Sequence, residues 1–125
     1  MKFAVAWQRL EGIIVFIAGL DLAWQWDSGV PWWGGLLIFF APDLSFGGYL
    51  LGPKAGAVCY NTVHVYAFGA AFIAVGILLS HPFCALAGAL WLAHSGFDRM
   101  FGYGLKTPEG FSFTHLGRIG KDAND

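Results

Sequence analysis

Four ionisable side chains, Glu11, Asp43, His64 and His94, sit in stretches that are otherwise apolar. A charge near the centre of a membrane-spanning helix costs roughly 2.5–3.5 kcal/mol on insertion scales, so each such group needs a partner or a ligand. Two carboxylates and two imidazoles form an accepted ligand set for one divalent metal, zinc or iron, through anionic oxygen and neutral ring nitrogen. The same groups can instead exchange protons with a bound substrate. A third use is a hydrogen-bonded network that sets helix order, although such contacts average under about 1 kcal/mol each in membranes. His64 and His94 facing each other could also hold a haem axially, with carboxylates as odd company for it.

The neighbouring residues extend this set. Tyr60 and Asn61 precede His64 by four and three residues and share its helix face, while Asp98 follows His94 by four. With Arg99, these are supporting candidates; Asp98 either orients His94 or ligates beside it. Pro42 removes a backbone donor directly before Asp43, which predicts a kinked helix with Asp43 turned inward. Ser45 has no elbow or triad spacing, so nucleophilic serine chemistry finds no support.

The elements that must position these groups follow from composition. The 125 residues are 57% hydrophobic, 18% aromatic and only 12% charged. A domain of this size buries too small a share of its surface to hide twelve Phe and six Trp, so the chain must meet lipid. A net charge of -1 offers no basic stripe for nucleic acid.

Four segments approach the roughly 20 residues that a bilayer requires, at about 4–26, 32–51, 55–80 and 83–103. They are separated by Asp27-Ser28-Gly29-Val30-Pro31, Gly52-Pro53-Lys54 and Ser80-His81-Pro82, which carry turn chemistry. Short connections make neighbours antiparallel. The expected fold is therefore all-α: an integral membrane four-helix antiparallel bundle, residues 1–104, followed by a cytoplasmic interfacial tail, 105–125. The tail is expected to fold over the cytoplasmic mouth, with Phe111, Phe113 and Leu116 dipping into lipid or the bundle and His115 solvated or reaching the pocket.

At about 1.5 Å per residue, Glu11, Asp43, His64 and His94 all fall about 11–14 Å from the cytoplasmic boundary. The polar pattern fades beyond them, which describes a pocket open to the cytoplasm rather than a channel. Lys2, Arg9, Lys54, Arg99, Lys106, Arg118 and Lys121 all fall on one side of this topology. The positive-inside rule then places both termini in the cytoplasm. Arg9 and Glu11 interrupt the early apolar stretch and no cleavage site follows, so the first helix is expected to be retained. Trp24, Trp26, Trp32 and Trp33 suit an interfacial belt, and Gly48, Gly52, Gly56, Gly69, Gly76, Gly88 and Gly96 suit close helix packing. Cys59 and Cys84 map to opposite sides of the bilayer, too far apart for a disulfide, and read as small buried hydrophobes.

The run from His94-Ser95-Gly96-Phe97-Asp98-Arg99 through Gly104-Leu105-Lys106, with Thr107-Pro108 and Phe111 to Gly117, resembles the bacterial domain of unknown function 4260 family. The resemblance extends to Arg9-Leu10-Glu11-Gly12, Ala41-Pro42-Asp43-Leu44-Ser45, Gly48-Tyr49-Leu50, Tyr60-Asn61, His64 and Tyr66, with Thr107 departing from a frequent Tyr. It implies a small four-span protein of the bacterial cytoplasmic membrane and supplies no mechanism. The residues themselves point first to a membrane-embedded enzyme, metal-dependent or acid–base, acting on a lipophilic substrate from the cytoplasmic leaflet. A small-molecule or metal-ion binding or transport module, or a structural subunit of a membrane complex, is the alternative. A chain with four spans could also pair with itself.

Overall fold

The structure, a computed structural model, describes residues 2–119. Helix α1 (Lys2–Trp24) contains no proline and runs 23 residues before Gly29, at φ 74°, and Pro31 turn the chain into α2 (Trp32–Phe40). Pro42 has no N–H for an α-helical ladder, and from Ala41 to Leu51 the backbone tightens into a 3₁₀ helix. Gly52, at φ 115°, ends it and Pro53 opens α3 (Pro53–His64). Val65 is extended, and α4 (Tyr66–Leu78) leaves it bent by 46° from α3. Helix α5 (Pro82–Met100) follows a tight corner. There Ser80, at φ 50°, donates to the Ile77 carbonyl at 3.2 Å and His81 to that of Gly76 at 2.8 Å, a double closure of the last helical turn.

Helix α5 is the centre of the molecule. It is closely flanked by α1 and α4, and most of its buried residues face one or the other. Gly12 and Gly96 face each other so tightly that a Cβ on either would come within 2.7 Å of the other's carbonyl oxygen. Gly69 and Gly88 repeat the arrangement on the α4 side. Ala23, Phe39, Leu86, Ala89, Leu90 and Ala93 form the apolar core above the polar groups.

Among the described residues, two helical stretches are long and apolar enough to cross a membrane, Lys2–Trp24 and Trp32–Leu51, or three if bent α3–α4 is one span. Their large apolar side chains point outward, with Leu44, Leu50 and Leu51 more than 80% exposed, a surface suited to a lipid bilayer. The expected unbroken third span, 55–80, is corrected to two helices. The freed carbonyl at the break, that of His64, accepts from the Arg99 guanidinium at 2.8 Å.

The all-α expectation also needs correction at the tail, since residues 106–118 form a three-stranded antiparallel meander. Its strands are β1 (Lys106–Thr107), β2 (Gly110–Thr114) and β3 (Gly117–Arg118), in that order. Gly110 and Gly117, at φ 153° and 118°, allow its two reversals. Lys121 and the rest of the expected tail beyond 119 lie outside the described residues. Cys59 and Cys84 are free, but Cys59 is exposed rather than buried, because it sits on the outer flank of α3 against Gly48.

Candidate metal centre

Each polar side chain reaches the centre of the molecule for a local reason. Asp43 lies in the first turn of the 3₁₀ helix, immediately after Pro42 changes the helical pitch. His64 is the last residue of α3, at the break. His94 and Asp98 are one turn apart on the buried side of α5. Four ligand atoms from these residues lie within 4.8 Å of one another.

The geometry within that cluster is specific. The two Nε2 atoms are 3.2 Å apart. Asp43 Oδ1 is 3.1 Å from His94 Nε2 and 3.5 Å from His64 Nε2. Asp98 Oδ2 is 3.4 Å and 3.5 Å from the same two nitrogens. A tetrahedral ion with bonds of about 2.0–2.1 Å needs its ligand atoms roughly 3.3–3.4 Å apart. Five of the six separations, 3.1–3.5 Å, bracket that value, and the sixth, between the two carboxylate oxygens, is within 4.8 Å.

Tautomer chemistry agrees. His64 Nδ1 is 2.8 Å from the Tyr60 carbonyl oxygen, which can only accept, so Nδ1 carries the proton and Nε2 presents its lone pair to the cluster. The Tyr60 ring stacks on His64, centroids 3.7 Å apart, and its hydroxyl donates to Asp98 Oδ2 at 3.2 Å. Tyr60 thus orients one imidazole and one carboxylate together. Phe39 packs edge-on against the His94 ring, whose Nδ1 has no hydrogen-bond partner among the described residues. The 3.2 Å between the imidazoles leaves no room for a macrocycle, so axial haem ligation is ruled out. What the cluster can hold is a divalent cation, neutralised by two carboxylates, or a proton shared between His94 and Asp43.

The expected layer is therefore corrected at one member. Glu11 lies outside the cluster and is exposed. Helix α1 must turn Gly12 into α5, and the adjacent residue is rotated about 100° from that contact. Asp98 stands in its place, a residue whose i, i+4 spacing from His94 was already the signal in the sequence.

Two supporting candidates do structural work beside the cluster. The Arg99 guanidinium donates to the carbonyls of His64 and Tyr103, both at 2.8 Å, which ties the helix break to the α5 terminus. The Asn61 side chain grips the backbone of Lys106, accepting from its N–H at 2.7 Å and donating to its carbonyl at 2.8 Å. The meander is thereby fastened over the site, as expected of a segment folded over the mouth, with Phe111 packed against Phe46 and Tyr49 of the bundle. His115 does not enter the pocket; its Nδ1 accepts from the Leu105 N–H at 2.8 Å. His81 is exposed and caps α5 by accepting from the Cys84 N–H at 3.1 Å.

Beneath the meander is a cavity of about 390 Å³ whose walls include Asp43, Tyr60, Asp98, Lys106, Phe46 and Phe111. Asp43, with 38% of its side chain exposed, is the cluster member that a molecule in this cavity reaches first. Lys106, which the sequence did not mark as a site residue, joins the wall because Asn61 holds its backbone there.

No curated protein and no solved structure matches the chain. The pattern that carries these groups, Arg9 through the His94–Lys106 run to Gly117, lies within residues 5–119, which match a family model along their whole length, and the chain belongs to the family described as Domain of unknown function (DUF4260).

Proposed function

We propose that this chain is a four-crossing integral membrane protein, both termini cytoplasmic, that binds one zinc or ferrous ion through Asp43, His64, His94 and Asp98. The ion serves a membrane-embedded enzyme acting on a lipophilic substrate from the cytoplasmic leaflet. The observation that carries this reading is the convergence of four ligand atoms within 4.8 Å, five of whose six separations, 3.1–3.5 Å, suit a small divalent ion. Bound there, such an ion would supply Lewis-acid chemistry to a substrate oxygen that takes the position of Asp43, the most exposed ligand, since four protein ligands together close a tetrahedral site.

The crossing count rests on α5. At about 1.5 Å per residue its 19 residues reach about 28 Å, and the polar groups that lower its hydropathy are shielded by α1 and α4. The apolar core above the cluster favours an enzyme pocket over a transport route. A metal-free acid–base site is the second reading, favoured by the 3.1 Å contact between His94 Nε2 and Asp43.

Elemental analysis of the detergent-purified protein, beside a His64→Ala, His94→Ala double variant, tests the proposal. One equivalent of zinc or iron, lost in a variant that still inserts and folds, is the expected result. Metal-free wild-type protein after chelator-free purification moves the assignment to proton transfer.

A further inference from the structure

Lys106 is the charged group that the metal reading leaves unused. It is 5% exposed, its backbone is held at both polar atoms by Asn61, and it forms part of the cavity wall beside Asp43 and Asp98. Its Nζ lies 3.9 Å from the Phe111 ring centroid and 5.1 Å from that of Tyr60. No carboxylate lies within ion-pair distance of it among the described residues. An ammonium removed from water and faced by aromatic rings has an incomplete set of partners. Burial pushes the Lys106 ammonium down to about 8, with Asp98 opposing that shift.

Charge counting indicates what completes it. With a divalent ion in place, the carboxylates of Asp43 and Asp98 are neutralised, and Lys106 is the surplus positive charge on the cavity wall. Without the ion, the two carboxylates repel an anion from the same space. The cavity volume of about 390 Å³ suits a head group with the first part of a chain, and Phe46 and Phe111 supply apolar walls.

Building on the metal assignment, we propose that the cavity binds an anionic lipid by its phosphate head group, seated between Lys106 Nζ and the metal, with its chain against Phe46 and Phe111. Lys is well suited to this task because its ammonium meets phosphate as a point charge and needs no planar geometry. The dependence on the ion distinguishes this site from a basic surface patch, which binds anionic lipid with or without metal.

The test uses the full chain in a neutral detergent, loaded with zinc. The probes are oleoyl lysophosphatidic acid, monooleoylglycerol and inorganic phosphate. The phosphate-bearing lipid should bind about tenfold or more tighter than the glycerol compound, the scale of one hydrogen bond to a charged group. Lys106→Gln should erase that difference without changing the zinc content, and Lys106→Arg should keep most of it. Because both substitutions retain the backbone atoms that Asn61 holds, the meander should stay docked. As a measurement independent of any variant, added salt should weaken binding of the phosphate lipid to the wild type and leave the glycerol compound unaffected.

Zinc-loaded Lys106→Gln protein that binds the phosphate lipid as well as wild type overturns the proposal. Inorganic phosphate competing at the lipid's own affinity overturns the lipid assignment and makes the ligand a soluble phosphate compound. A wild type that takes up no zinc refutes the metal reading, and a Lys106-dependent preference persisting in that protein shows an anion site without the ion.

Discussion

The slab of α1, α5 and α4 and the assembly of the 3₁₀ helix, α3 and the meander are built on opposite terms. The slab is regular α-helix joined through facing glycines, and its backbone hydrogen bonds close within each helix. The other side is broken three times, at Pro42, Gly52 and Val65, and ends in a sheet. Two cluster residues, Asp43 and His64, come from those breaks, while His94 and Asp98 come from the regular helix. Irregular backbone at membrane depth persists only where protein or water satisfies the freed groups. At Val65 the Arg99 guanidinium does so, and the side chains at the breaks are aimed at a point that no straight helix would offer.

The largest expected effect is on the slab. Gly96→Leu forces a side chain into the Gly12 carbonyl and the Phe16 amide and should cost about 3 kcal/mol, read as a lowered midpoint in detergent unfolding. Gly47→Ala on the 3₁₀ helix, where an added Cβ meets nothing within 4 Å, should be close to neutral. Equal tolerance at the two positions would erase the contrast between the regions.

Tyr60→Phe comes next. It keeps the ring stacked on His64 but removes the hydroxyl from Asp98, and zinc affinity should fall about 10–100-fold, measured by competition with a chromogenic chelator. An unchanged affinity would make Asp98 self-sufficient in its position. Asn61→Ala removes both bonds to the Lys106 backbone and should loosen the meander by about 1–2 kcal/mol, seen as faster exchange of the Lys106 amide while α5 amides are unaffected. Parallel loss of protection in α5 would show that the two regions open together.

The smallest effect is set by pH. Burial and the nearby Arg99 charge hold His115 below its ordinary 6.5, and its Nδ1 must be unprotonated to accept from Leu105. The unfolded tail takes up the proton more readily, so this contribution is complete above about pH 6.5 and is lost as the pH falls through the lowered value. Amide exchange in β2 should quicken modestly below pH 6, and His115→Gln should flatten that dependence.

Much of this arrangement was legible beforehand. A disturbance of the helix at Pro42, the turn regions, the apolar outer surface and the grouping of Asp43, His64 and His94 all follow from residue types and counts, whereas the 3₁₀ pitch after Pro42 does not. The break at Val65 was not legible, because no proline or glycine marks it. It depends on Arg99, 34 positions later, reaching the His64 carbonyl. The meander was equally hidden, since strands of two, five and two residues carry too little periodicity to stand out, and their attachment combines the Asn61 side chain with Phe111 packed on Phe46 and Tyr49.

The sequence by itself determined that the chain carries apolar helices suited to a bilayer and how far along each helix its polar groups sit, because apolar content and helical rise are local properties. Tertiary structure alone decided which groups face one another. Glu11 and Asp98 competed for one corner of the cluster, and the outcome depended on Gly12, which must face α5 and so turns Glu11 away. Distance along a helix is set by counting residues; direction around it is set by what the helix packs against.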